Sequence, residues 1–112
     1  MKKDISFSIG ADDMSESVIK AKICLDKLNY EYKSYGLINE DKLNWVDIAK
    51  NVAKDVQNGV SDFGIIFCHT GTGVSIVANK FKGIRAALCN NKEVAIAARK
   101  WNDANVLTMG IM

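Results

Sequence analysis

Phe63-Gly-Ile-Ile-Phe-Cys-His-Thr-Gly-Thr-Gly-Val-Ser-Ile-Val-Ala-Asn-Lys80 carries a strand, a tight turn and a helix in one short stretch. Phe63–Cys68 is a near-continuous apolar run of strand length, the pattern of a strand covered on both faces. The glycines in His69–Gly73 let the backbone turn tightly and leave amide N–H groups aimed at one spot. A short helix over Val74–Lys80 follows and adds its positive end.

The same alternation continues outward in both directions. Upstream, Ile5–Ile9 reads as a first strand ending at Gly10, and Met14, Val18, Ala21, Leu25 and Leu28 recur at helical spacing. Asn29 suits a left-handed helix stop, Glu31–Tyr35 alternates as a second strand, and Gly36–Lys42 is a polar loop. Asn44 caps a second helix with Asp47 in its first turn, an apolar stripe at Trp45, Ile48, Ala49, Val52 and Val56, and Gly59 as its stop. Downstream, Gly83 precedes a strand at Ile84–Cys89. Asn90 and Glu93 stand at capping-box spacing before a helix carrying Val94, Ala97, Ala98 and Trp101, and Asn105–Met109 is a last strand. Alternating strands and helices without hairpin signals predict a three-layer, Rossmann-like α/β fold. It is a doubly wound parallel sheet of about five strands in a single domain over residues 1–112. The apolar segment Val106–Met112 has no helix after it, so either a partner chain covers it or the chain is shortened.

Composition narrows the function classes. The chain has 112 residues, 48% hydrophobic and 25% charged, near the average for one globular domain and short for two. A net charge of +2 with dispersed lysines argues against a nucleic-acid partner. No apolar run approaches a bilayer span, and Met1-Lys2-Lys3-Asp4 leads directly into the first strand rather than into a signal peptide. Three cysteines without CxxC spacing fit a reduced, cytoplasmic protein with free thiols. One histidine and no cysteine pair make a zinc site improbable.

Ligands of such sheets bind beyond the carboxyl ends of the strands, which selects Gly10–Asp13, Cys68–Gly73, Cys89–Asn91 and the segment before the last strand. Cys68, beside aligned amides, has the setting of a base or nucleophile, although a free cysteine is more commonly a buried apolar residue. Cys24, on the buried side of the first helix, and Cys89 read as structural. His69 adjoins Cys68, but neighbours in an extended segment point to opposite sides, so no Cys–His dyad follows. Asp12 and Asp13 are either helix caps or hydroxyl-binding and acid–base groups. Trp45 and Trp101 read as core or cleft-wall aromatics. The loop is equally compatible with a tight turn that binds nothing.

Gly64–Lys80, Lys82-Gly-Ile-Arg-Ala-Ala-Leu-Cys89 and Trp101-Asn-Asp-Ala-Asn-Val-Leu107 together closely resemble the type B ribose-5-phosphate isomerases and the galactose-6-phosphate isomerase subunits. The resemblance spans about Ile5 to Gly110. It implies an oligomeric enzyme, a homodimer or a hetero-oligomer with a related chain, that interconverts aldose and ketose phosphates without metal or organic cofactor. It also implies roles. Cys68 matches the residue that moves the proton between C1 and C2. Thr70, Gly71, Thr72 and Gly73 match the loop that holds the cis-enediolate. Asp12 and Asn102 match groups that bind the sugar.

The chain departs from that pattern in several places. Asp13 stands where the family has a phosphate-binding histidine, Trp101 where it has a ring-opening histidine, and His69 where a glycine follows the cysteine. Trp45-Val46 replaces Tyr-Pro, and the family's C-terminal helix with its phosphate-binding arginines is lacking. Asp13 and His69 therefore line the site with altered chemistry, and His69 is a candidate substitute for the ring-opening acid. The leading expectation is a ribose 5-phosphate isomerase. The alternatives are a galactose-6-phosphate isomerase-like subunit, a non-catalytic sugar-phosphate-binding member, or a redox-sensitive thiol protein.

Overall fold

The computed structural model describes residues 4–111, so the readings of Met1–Lys3 as a lead-in and of Met112 as the end of the last apolar segment lie outside it. Its elements follow one another as strand and helix throughout. They are β1 (Ser6–Ala11), α1 (Glu16–Lys27), β2 (Glu31–Gly36), a turn of 3-10 helix (Leu37–Asn39), α2 (Trp45–Gln57), β3 (Phe63–Cys68), α3 (Thr72–Ala78), β4 (Ala86–Leu88), α4 (Lys92–Asn102) and β5 (Val106–Gly110). All strand pairs are parallel, in the order β2-β1-β3-β5-β4. The expected doubly wound α/β fold is therefore what the chain adopts, and the expected last strand is an interior one, β5, between β3 and β4.

Local chemistry sets the helix ends. Ser15, rather than Asp12 or Asp13, caps α1 by accepting the Val18 N–H at 3.4 Å, and Asn29 stops it at φ 60. Asn44 caps α2 through the Asp47 N–H at 2.9 Å. Asn91, not Asn90, caps α4 through the Val94 N–H at 2.9 Å. In α1 only Val18 and Leu25 are buried, and Cys24 is exposed, contrary to expectation. Six residues after Val18, at ~100° per residue, Cys24 lies about 120° round the axis from the stripe.

Each face of the sheet has its own packing. Ile48, Ala49, Val52 and Ala53 of α2 join Val74 and Ala78 of α3 over Ile66, Cys68 and Val106. On the opposite face Val18 and Leu25 of α1 cover Ile9, Ala11 and Phe67, while Ala98 of α4 covers Cys89 and Leu107. Between α1 and α4 the sheet stays open as a groove of about 290 Å³ over Phe7, Phe63, Ile65 and Leu107. Phe63 and Ile65 are only half-buried for that reason, so β3 is not fully covered on both faces. Trp101 belongs to no stripe: it is 74% exposed at the end of α4.

β4 is shorter than the Ile84–Cys89 run, and the Asn79 side chain serves as its extra strand partner, donating to the Ala86 C=O at 2.9 Å and accepting its N–H at 2.7 Å. Under α2, the buried Asp55 carboxylate accepts from Ser8 Oγ at 2.8 Å and from the Tyr35 hydroxyl at 2.7 Å, and Ser61 meets Ser8 at 2.6 Å. Burial and the bond to Asp55 push the Tyr35 phenol above its ordinary range. Among the described residues no helix is long and apolar enough to cross a membrane.

A group whose pKa is raised by folding stabilises the fold below its unfolded-state pKa and loses that contribution as pH rises through the folded value. Tyr35→Phe should therefore cost about 1–2 kcal/mol in urea unfolding at neutral pH. The gap to the unmodified chain should close above about pH 10, where the Tyr35 phenol ionises against Asp55.

Candidate active site

The direction of winding reverses between β1 and β3: the chain moves from β1 outward to β2, then returns to the other side of β1 for β3. The carboxyl ends of those two strands diverge into the crevice where doubly wound sheets bind ligands. Asp12 and Asp13 follow β1 there, and Cys68 ends β3. With Ser15 capping α1, neither aspartate is committed to capping.

Cys68 is 7% exposed, and its Sγ accepts the Gly71 N–H at 3.1 Å. The Gly71 N–H is thus aimed at the sulfur. Gly71 holds this position at φ +83, where a Cβ would come within 2.5 Å of Leu88 Cδ1 and 2.8 Å of the Met109 carbonyl carbon. Only glycine fits there, for both conformational and steric reasons. Gly71 is also the left-handed cap of α3, so the helix begins at Thr72 and takes in two residues expected to belong to the turn. Thr70 and Thr72 are exposed at the crevice, with hydroxyls 2.7 Å apart, and the Thr72 N–H reaches Thr70 Oγ1 at 3.3 Å. Gly73 lies against the Trp45 ring, which would stand 2.8 Å from a Cβ at that position, so Trp45 is a wall of the loop. His69 is exposed while Cys68 is buried, in keeping with their opposite directions.

The end of β5 closes the other side. The Ile111 N–H donates to the carbonyls of Cys68 and His69, each at 3.1 Å, and Gly110 packs under the Thr70 carbonyl. The Gly110 N–H also reaches Asn90 Oδ1 at 3.4 Å. Asn90, freed from capping by Asn91, thus braces the crevice. Ser75 and Thr108 were not legible as site residues, although a threonine inside an apolar strand was the available signal. The Ser75 hydroxyl donates to the Gly71 C=O at 2.8 Å and is hydrogen-bonded to the buried Thr108.

Other candidates lie apart. Asn102 ends α4 at the amino edge of the sheet, beside the Arg85–Asp103 pair and a strand's length from Cys68. Cys89 is buried, its thiol pushed up by desolvation and directed to the Ala87 C=O at 3.6 Å. Among the described residues no three His, Cys, Asp or Glu side chains cluster as a metal ion would need.

Fold and crevice together define a doubly wound α/β domain with a buried thiol at its switch point. The ribose/galactose isomerase family model matches residues 8–112. The chain is 38% identical over 109 residues to ribose-5-P isomerase B of Listeria innocua, covering 96% of this chain and 74% of that protein. It is 36% identical over 109 residues to D-erythrulose-4-phosphate isomerase of Pectobacterium atrosepticum, covering 95% and 71%. The crystal structure of a ribose 5-phosphate isomerase from Thermotoga maritima superposes with a TM-score of 0.88 at 35% identity, covering 97% of this chain and 76% of that one. The chain belongs to the ribose/galactose isomerase family and is a sugar-phosphate isomerase of the aldose–ketose type.

Gly71→Ala and Gly83→Ala share φ +83, but a Cβ at Gly83 meets nothing within 4 Å. Gly83→Ala should cost about 1 kcal/mol of strain. Gly71→Ala should cost several kcal/mol more, because it adds overlap with backbone. Denaturant melts of the two variants measure that difference directly.

Proposed function

We propose that this chain interconverts ribose 5-phosphate and ribulose 5-phosphate, with Cys68 as the base. The observation that carries the reading is the Gly71 N–H on the buried Cys68 Sγ, at the switch point of a sheet with the family's fold. In the forward direction the thiolate takes the proton from C2, and the C2–H electrons form the C1=C2 bond of a cis-enediolate. The Thr70–Gly73 loop holds the developing oxyanion through its amides and the Thr70 hydroxyl. The thiol then returns the proton to C1, and a proton passes from O2 to O1, leaving a ketone at C2. No oxidant or cofactor enters the balance.

Asp12 binds sugar hydroxyls at the rim. Asp13 and His69 line the same opening, and Asp13 disfavours a phosphate placed against it. Asn102 is too far from Cys68 to serve the same chain's site, so it joins the site of a second copy, and the working unit is a dimer. The open apolar groove between α1 and α4 is consistent with assembly. Free cysteines and a thiol base suit the reducing cytoplasm.

A second reading rests on Trp101. A residue without acid–base chemistry stands where the resemblance puts a ring-opening histidine. A tetrose 4-phosphate has its O4 esterified, cannot close a ring and needs no such group. The erythrulose-4-phosphate isomerase among the relatives makes this the substrate to set beside ribose 5-phosphate.

Proton NMR in deuterated water tests both. Deuterium should enter C2 of ribose 5-phosphate, and Cys68→Ala should lower the rate by at least about a thousandfold. Exchange with erythrose 4-phosphate alone would select the second reading, and exchange with galactose 6-phosphate alone a hexose isomerase. No exchange with any of them would leave a binding protein. For the shared site, co-expressed Cys68→Ala and Asn102→Ala chains should recover roughly a quarter of the unmodified activity, through the one intact site of each mixed dimer. Activity no higher than that of either variant alone would reject the role of Asn102.

A further inference from the structure

We propose that Ser75 and Thr108 form a hydroxyl relay that positions the Gly71 N–H on the Cys68 sulfur and so sets the reactivity of the thiol. The proposal rests on the reading of Cys68 as the base, but its test needs no substrate.

The directions of the bonds are fixed by counting hydrogens. Ser75 has one hydroxyl hydrogen, and it goes to the Gly71 C=O at 2.8 Å. The bond between Ser75 and Thr108 must therefore be donated by Thr108, whose side chain is fully buried on β5. A hydroxyl in that setting has to use its hydrogen within the protein, and Ser75 takes it. Gly71 in turn donates its N–H to Cys68 Sγ at 3.1 Å. The order is Thr108 to Ser75 to Gly71 to Cys68, running from the middle of the sheet to the reacting atom.

The relay is needed because Gly71 is a glycine. No side chain restricts its φ and ψ, and its left-handed conformation is one of several open to it. Packing against Met109 and Gly110 blocks one side of its Cα, but contact alone does not set the angle of the N–H. Pinning the carbonyl to Ser75, whose hydroxyl and backbone N–H both donate to it, fixes the peptide that follows Gly71 and so steadies the Cα from which its own N–H extends. A serine four residues after a helix-capping glycine ordinarily bonds back to that carbonyl. Here the buried threonine beneath keeps the serine hydroxyl in a single rotamer.

The test is alkylation of the intact chain by iodoacetamide from about pH 6 to about pH 10, following the Cys68 peptide by mass spectrometry so that exposed Cys24 does not interfere. Ser75→Ala and Thr108→Val should each move the midpoint of Cys68 reactivity up by about one pH unit, roughly a tenfold loss of thiolate at a fixed pH below it. Thr108→Ser keeps the hydroxyl and should restore the midpoint to within a few tenths of a unit. In an active isomerase the same variants should lower kcat about tenfold and leave KM unchanged. Unchanged midpoints in folded Ser75→Ala would overturn the proposal, and so would Thr108→Ser behaving like Thr108→Val. If Thr108→Val does not fold, the half-exposed Ser75→Ala decides alone. Failure of isomerase activity with the expected midpoint shift would count against the function and not against the relay.

Discussion

The close approach of Gly71 to the end of β5 is the constraint on which the site depends. The strand order puts β5 between β3 and β4, so the backbone of Met109 and Gly110 runs directly beside the loop that leaves β3. There is no room for a side chain at Gly71, and its left-handed conformation starts α3 with an amide turned back to Cys68. The Ile111 N–H ties the same strand end to the carbonyls of Cys68 and His69. The thiol is thus held by the sheet rather than by a free loop.

The two edges of the sheet carry different work. At the carboxyl edge the polar groups face the crevice: Asp12, Thr70, Thr72 and the loop amides. At the amino edge Arg85 donates to the Asp103 carbonyl at 2.7 Å and pairs with its carboxylate, while Asn105 bonds Gly83 and Arg85. That rigid corner is where α4 ends and where Trp101 and Asn102 project. Residues that the resemblance assigns to one site therefore sit at opposite edges of one chain. The proposed sharing of a site between copies reconciles the two facts.

Most of the architecture was legible in the sequence because burial imposes a period. The Ile48, Ala49, Val52 stripe and the apolar run of β3 follow directly from what must face the core, while Asn29 and Gly59 end helices through a left-handed backbone and Asn44 begins one through its side-chain oxygen. The errors have local causes. Cys24 lies off the Val18–Leu25 stripe by about a third of a turn, and Trp101, whose size and apolar ring suit a core or a cleft wall alike, is not in the core. Asn90 and Asn91 both suit a cap, and sequence alone could not choose between them. Cys68 and its glycine loop were visible through spacing, whereas Ser75 and Thr108 meet only across the tertiary fold, from α3 to β5. Nothing in one dimension could have paired them.

The most direct measurement is a crystal structure with a phosphorylated hydroxamate analogue of the cis-enediolate. The expected result is that the two carbons equivalent to C1 and C2 lie within van der Waals contact of Cys68 Sγ, with the analogue's oxygens on the Thr70–Gly73 amides. An analogue seated away from Cys68, in the cleft between Asp26 and Lys33 for instance, would contradict the assignment of Cys68 as the base.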